Sequence, residues 1–453
     1  MKLQTNNTQV HTSEFEAKTV KKIQYRILPF IIVLYFIAML DRTNLSYVAS
    51  HMNKDLGITS AQFGIVAGIF FIGYFLFEVP SNIILNKVGA RVWIARILIT
   101  WGIVAAATSL VQDVTHLYIL RFILGIMEAG FFPGIILYLT FWFRKEDRAK
   151  VISLFMLGLP LAYIFGAPVS GLILDHIHWM GISSWRWMFF LEGIPAVLLG
   201  ICTFVFLTEK PENAKWLTDK EKAWLHNELE SEKQSVTNKY SNSTAKTIFS
   251  PMIWLLAIVY FSKTLAIYGV GFFAPQIIDS FTDGLSSTAV GLITAIPYIF
   301  ASIVMILWGR HSDKTKERRW HIAIPIGICA LALIAFGFTS NPIVVIALLC
   351  IINGATFSLY GPFWTLPSLF LTGTSAAAGI AAINSIANLG GFVGPYAIGA
   401  INDATGSVYG GLVIIAVVCI IAFIIILNLR FDKQEANNNE ETSLKDEDKL
   451  QSR

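Results

Sequence analysis

The chain has 453 residues, of which 55% are hydrophobic and only 14% charged, with a formal net charge of +4. A soluble domain carries about 25% charged residues, so this composition excludes a soluble globular protein and defines a membrane protein. The small basic excess is no sign of nucleic-acid binding, and the absence of GxSxG, HExxH and P-loop patterns argues against an enzyme.

Residues 1–24 are polar, with His11 and scattered lysines, and lack the apolar core and cleavage site of a signal peptide. They read as a cytoplasmic N-terminal segment, followed by a first span retained as a signal-anchor. Apolar stretches long enough to cross a bilayer then follow. The first six lie at 25–47, 62–85, 91–112, 115–143, 149–174 and 187–208. A polar cytoplasmic loop, 209–247, contains a helical pattern starting near Thr218-Asp219 and then a Ser/Thr/Asn linker. Six more spans follow, at 248–278, 287–308, 320–340, 342–371, 377–402 and 407–429. The tail, 430–453, is acidic and Asn-rich and reads as disordered. These runs are too long and too uniformly apolar for β-barrel strands. The expected fold is therefore an all-α membrane protein with twelve transmembrane helices, split into a six-helix half at 25–208 and another at 248–429.

Orientation follows from Lys and Arg, which concentrate on the cytoplasmic side of a membrane. Counting residues in the first two positions of a span with the adjoining connection, 28 of the 34 fall in the termini and even-numbered connections, two (Lys54 and Arg186) fall on the opposite side, and four (Arg42, Arg96, Arg121 and Lys263) lie deeper within spans. Both termini are thus expected to be cytoplasmic. The four cysteines, Cys202, Cys329, Cys350 and Cys419, all lie in apolar spans with no CxxC or metal spacing, so neither a disulfide nor a metal site is expected.

Asp41 and Arg42 interrupt span one, and Arg121 and Glu128 interrupt span four. A charge at the bilayer midplane costs at least about 2.5–3.5 kcal/mol, so such residues are usually paired, face a water-filled cavity and handle ions or substrates. Arg121, Gly125 and Glu128 follow the i, i+4, i+7 spacing of one helix face, with Gly125 leaving room for a neighbour. Asp41 and Arg42 point about 100° apart, so one faces a cavity and the other a neighbouring span. Two acids and two bases held this way suggest proton-linked handling of an anion. The alternative reading is a structural salt bridge between helices. Lys263, in span seven, is a further candidate by the same cost argument, the alternatives being snorkelling or pairing with an acid. Glu78 and Glu192 suit structural salt bridges or gating contacts better than direct substrate contact.

The halves repeat. NIILNKVGAR at 82–91 follows span two and GRHSDKTKER at 309–318 follows span eight, aligning Asn86 with Asp313, Lys87 with Lys314 and Arg91 with Arg318. Parallel six-span halves are a known transporter plan with the substrate site between them. GRHSDKTKER resembles the loop signature of the major facilitator superfamily, whereas the first copy has Asn82 for the usual Gly and Asn86 for the usual Asp. DRTNLSYVA at 41–49, RFILGIMEAGFFPG at 121–134, WRWMFFLEGIPA at 185–196 and INSIANLGGFVGPYAIGAINDATGS at 383–407 narrow the match. Together they resemble the anion:cation symporter branch, in particular bacterial transporters of tartrate, sugar acids, 4-hydroxyphenylacetate and phthalate.

The resemblance implies roles. Asp41 and Glu128 match acids implicated in proton coupling, and Arg42 and Arg121 match bases that hold the acids and engage the anion. Tyr74 and Asn384 match polar positions near the substrate site, with Tyr47, Tyr260, Trp364 and Asn388 weaker candidates. Lys87, Arg91, Asp313, Lys314 and Arg318 match the gating loops. The expectation is a functional monomer in the bacterial inner membrane, in contact with lipid and without a cofactor. It would import a small organic anion with protons by alternating access. Rivals are an anion exchanger, an exporter and a transport-deficient membrane sensor.

Overall fold

The computed structural model describes residues 2–237, 250–282, 284–370 and 373–429. Among them all regular structure is helical, as lipid demands of a chain whose backbone groups must be satisfied internally. Most of the expected Ser/Thr/Asn linker and the acidic tail at 430–453 lie outside the described residues.

The chain divides into two compact units, Met1–Lys239 with Phe272–Ala295, and Tyr240–Gly271 with Ile296–Arg453. The first unit contains α1 (Lys2–Leu56), α2 (Ser60–Val88), α3 (Ala90–Ala107), α4 (Val114–Glu128) and α5 (Phe131–Thr140). It continues with α6 (Lys145–Phe155), α7 (Gly158–His176), α8 (Ser184–Phe206) and α9 (Asp219–Thr237). The second unit holds most of α10 (Pro251–Phe281) and α11 (Ser287–Thr315), then α12 (Arg319–Ala335), α13 (Pro342–Ser358) and α14 (Tyr360–Phe370). It ends with α15 (Gly373–Asn388), α16 (Gly390–Thr405) and α17 (Tyr409–Asn428).

Local signals set the helix ends. Thr59 and Gln62 form a reciprocal capping box at the start of α2. Asp113 caps α4 by accepting from the His116 amide at 2.9 Å. Asn341 caps α13, with Pro342 in the first turn. The polar N-terminal residues do not stand apart from span one, because α1 runs unbroken for 55 residues, about 80 Å at 1.5 Å per residue.

Eleven helical stretches among the described residues are long and apolar enough to cross a bilayer. The predicted span 377–402 is not one of them. Its hydrogen bonding shifts at Leu389, whose amide bonds the Ile386 carbonyl while its backbone stays right-handed helical (φ −62°, ψ −22°), and this separates α15 from α16, each 16 residues long. Two glycines and Pro395 open α16, and proline removes an intrahelical donor. Predicted span four is also broken, because Gly130 takes a left-handed conformation (φ 88°) between α4 and α5.

Two close helix approaches shape the first unit. A Cβ on Gly125 of α4 would strike the Phe70 carbonyl of α2 and come within 2.9 Å of the Tyr74 amide. Gly102 of α3 and Gly193 of α8 meet similarly, since a Cβ on Gly102 would lie 2.8 Å from the Gly193 carbonyl. Small residues that let backbones approach are the usual packing device in lipid, where no hydrophobic force drives helices together.

Candidate functional site

The four charges predicted in the first unit meet in its interior. The Arg42 guanidinium on α1 forms an ion pair with Glu128 on α4. Asp41 points the other way, and its Oδ2 accepts a hydrogen bond from the indole N–H of Trp101 on α3 at 2.6 Å. Arg121, seven residues before Glu128, lies within electrostatic range of Glu128, Arg42 and Asp41. Asp41 and Glu128 are each 2% exposed and Arg121 1%. The cluster is neutral when all four groups are ionised, which lowers the cost of burying it.

Its hydrogen bonding is incomplete. Arg121 Nε reaches the Val66 carbonyl only at 3.4 Å, and its Nη2 has no partner among the described residues. Asp41 Oδ1 likewise has none. A guanidinium with an unused donor is suited to a carboxylate, which it can bind through two parallel hydrogen bonds. The close approach at Gly125 brings α2 aromatics over both cations. The Phe70 ring lies 5.0 Å from Arg42 and 5.3 Å from Arg121, and the Tyr74 ring 5.4 Å from Arg42.

Lys263 lies in the second unit on α10, 4% exposed. It neither snorkels to the surface nor pairs with an acid among the described residues. Its ammonium sits over the rings of Tyr360 (3.4 Å to the centroid) and Tyr260 (4.8 Å). Phe363 stacks on Tyr260 at 4.7 Å and Trp364 meets it edge-on at 4.8 Å. Asn384 is half-buried on α15. Nothing in the composition of span seven announced an aromatic box, because its members come from α10 and α14.

Of the expected gating residues, Lys87 and Lys314 occupy the last turns of α2 and α11, where a cation complements the helix dipole. Arg318 pairs with Asp313 at 2.9 Å and donates to Ser312 at 2.7 Å. In the first unit, Glu209 accepts from the amides of Ala90 (2.6 Å) and Arg91 (2.8 Å), capping α3. Sequence reasoning missed Glu209, which lies over a hundred residues from the helix that it caps. It also missed Trp101, although a tryptophan in mid-span away from the interfacial belts is a detectable signal. Glu192, expected in an ion pair or a gate, is buried with no cation beside it among the described residues. Its polar neighbours are Ser170 and Asn44.

Helices of this length and composition, with charged side chains buried among them, are those of a multi-pass membrane protein. Residues 31–395 match the family model described as the Major Facilitator Superfamily, and the chain belongs to that superfamily. A protein of Agrobacterium vitis named "Putative tartrate transporter" is 51% identical over 93% of this chain and 93% of its own. A quinolone resistance transporter of Acinetobacter baumannii is 39% identical over 91% of this chain and 95% of its own. Among solved structures, the partially occluded, inward-open xylose transporter XylE from E. coli superposes with a TM-score of 0.73 at 16% identity. That match covers 90% of this chain and 99% of XylE, and at this identity it speaks for the fold. The chain is thus a transporter of the major facilitator type, a multi-pass protein of the bacterial inner membrane.

Proposed function

We propose that the protein is a proton-coupled symporter that imports a small organic anion, of the hydroxy- or sugar-acid or aromatic carboxylate class, by alternating access. The observation that carries this reading is the buried Arg42–Glu128 pair beside Arg121, whose Nη2 is unsatisfied. A proton arriving at Glu128 cancels the charge that holds Arg42. The freed guanidinium and Arg121 then draw a carboxylate, so proton and anion enter one cycle. Asp41 is the second proton carrier. Tyr74 borders the anion in the first unit, and Lys263 and Asn384 offer contacts in the second. A desolvated ammonium held over aromatic faces, with no acid partner among the described residues, gains most from a carboxylate. The tartrate relative makes a dicarboxylic hydroxy acid the first candidate.

The topology proposed is twelve spans, with α15 and α16 together forming the eleventh. The halves are 25–208 and 248–429, the intervening 209–247 forms the central loop, and 1–24 and 430–453 are cytoplasmic. Lys87, Arg91, Asp313, Lys314 and Arg318 serve the gate at that face. The working unit proposed is a monomer in lipid, without a cofactor.

The test is uptake into proteoliposomes under an imposed pH gradient, with a panel of hydroxy, sugar and aromatic acids. Glu128→Gln should lose gradient-driven accumulation while substrate counterflow survives. Unchanged accumulation in both Asp41→Asn and Glu128→Gln sinks the proton assignment. The quinolone resistance relative supports a second reading, export. Drug efflux with no accumulation of any acid would favour it.

A further inference from the structure

Glu192 stands next to Gly193, so the close approach of α3 and α8 fixes its depth. It is 3% exposed. The Ser170 hydroxyl of α7 donates to its Oε1 at 3.1 Å, while its Oε2 has no hydrogen-bond partner among the described residues. Asn44 of α1 is its other polar neighbour. Asp41 shows the same pattern, with one oxygen held by Trp101 and the other without a partner among the described residues. Glu192 and Asp41 also lie within electrostatic range of each other. Asn44 is three residues beyond Asp41, about one helical turn along α1, so the same stretch of that helix faces both carboxyls.

The same helix continues the series. Tyr47, three residues beyond Asn44, lies within electrostatic range of Glu192 and lines a pocket with Ser50, His51, Asp279 and Ser287. The pocket sits toward the end of α1, which on the proposed topology is the outer face. Among the described residues, the helices packed on α8 bring no cation to Glu192. Beside its neighbour Gly193, α3 brings the Gly102 and Ala106 backbones. From α7 come Ser170 and, beside Tyr47, Tyr163; from α1 come Asp41, Asn44 and Tyr47. A buried carboxylate with no cation calls for a proton as its counter-charge.

We propose that Glu192 is a third proton-binding carboxyl of this unit, loaded from the pocket lined by Tyr47, His51 and Asp279 and passing its proton to Asp41. The proposal rests on the reading of Asp41 and Glu128 as proton carriers. In the step, the O–H bond on Glu192 Oε2 breaks, a bridging water relays the proton, and an O–H bond forms on Asp41 Oδ1. Glu192 returns to carboxylate, Asp41 becomes neutral, and Ser170 keeps its contact throughout.

The test uses the full chain in proteoliposomes, with labelled tartrate and the acid panel above, in gradient-driven and counterflow modes. Glu192→Gln preserves shape and the acceptor for Ser170. Its gradient-driven uptake is expected to fall at least about tenfold, with counterflow retained and partial recovery in Glu192→Asp. Equal loss in both modes marks a structural role and overturns the proposal. Wild-type driven uptake across about pH 5–8 overturns it as well. Glu128→Gln is the control. If that variant still accumulates substrate, the proton-coupled reading itself fails, whatever Glu192→Gln does. If no acid is carried, infrared titration of the purified protein decides. Loss of one titrating carboxyl in Glu192→Gln supports the assignment, and an unchanged spectrum rejects it.

Discussion

At the scale of residues, the site turns on which partner each charge finds. Arg42 and Asp41 are neighbours in sequence but serve different helices, Glu128 on α4 and Trp101 on α3. Arg42→Lys keeps the charge but loses the planar fork. Driven uptake should fall at least about tenfold, equivalent to about 1.4 kcal/mol, with protein yield unaffected. An unchanged rate would remove Arg42 from the anion site. For Lys263, replacement by Met keeps the volume and deletes the charge. A charge-assisted hydrogen bond contributes about 1.5–3 kcal/mol, so the half-saturating substrate concentration should rise by at least about tenfold. A wild-type value would assign Lys263 to packing against Tyr260 and Tyr360.

At the scale of elements, the glycine contacts and the cytoplasmic helix make separate claims. Gly125→Val places a branched side chain where the Phe70 carbonyl already lies. Overpacking of this kind costs about 1–3 kcal/mol or more, so a lower melting temperature in detergent is expected. Gly57, with open space around it, is the contrasting position for crowding, although its φ of 64° favours glycine. The helix α9 lies along the first unit through Lys22–Glu221 (2.8 Å), Arg148–Glu232 (2.8 Å) and the Trp224 ring against Arg144 (5.1 Å). Although burial opposes it, the Lys22 ammonium and the Thr218 amide and hydroxyl hold the Glu221 carboxyl below its usual value of 4.5. A depressed carboxyl stabilises the docked state above its unfolded pKa and loses that contribution as pH falls through the folded value. α9 should therefore loosen below about pH 4.5 and at high salt, where exposed pairs are screened. Faster hydrogen exchange in 219–237 would show it. Equal protection at pH 7 and pH 4 would assign the docking to Trp224 and its apolar contacts.

At the scale of the whole molecule, the proposed symport predicts proton-coupled transport, and a pH gradient tests it. An inside-alkaline gradient should concentrate the substrate, and a protonophore should collapse that accumulation without blocking counterflow. If more than one proton accompanies each monovalent anion, uptake becomes electrogenic and an inside-negative potential accelerates it. Insensitivity to both gradient and protonophore would favour exchange.

Much of this was legible in the residues alone. Spans could be read because lipid forces every backbone donor and acceptor to be satisfied within a helix, so long apolar runs have one outcome. Asp41, Arg42, Arg121, Glu128 and Lys263 stood out because a buried charge is too costly to be incidental. Other features depended on helix rotation and depth, which packing sets. The Trp101–Asp41 bond and the burial of Glu192, with no cation beside it among the described residues, both arise where α3 and α8 close on Gly102 and Gly193. The break at Leu389 appears in a run whose average hydropathy carries no mark of it. Hydropathy thus determined that the chain crosses a membrane and which residues are out of place there. Only tertiary packing decided which charges meet, because that depends on contacts between helices distant in sequence.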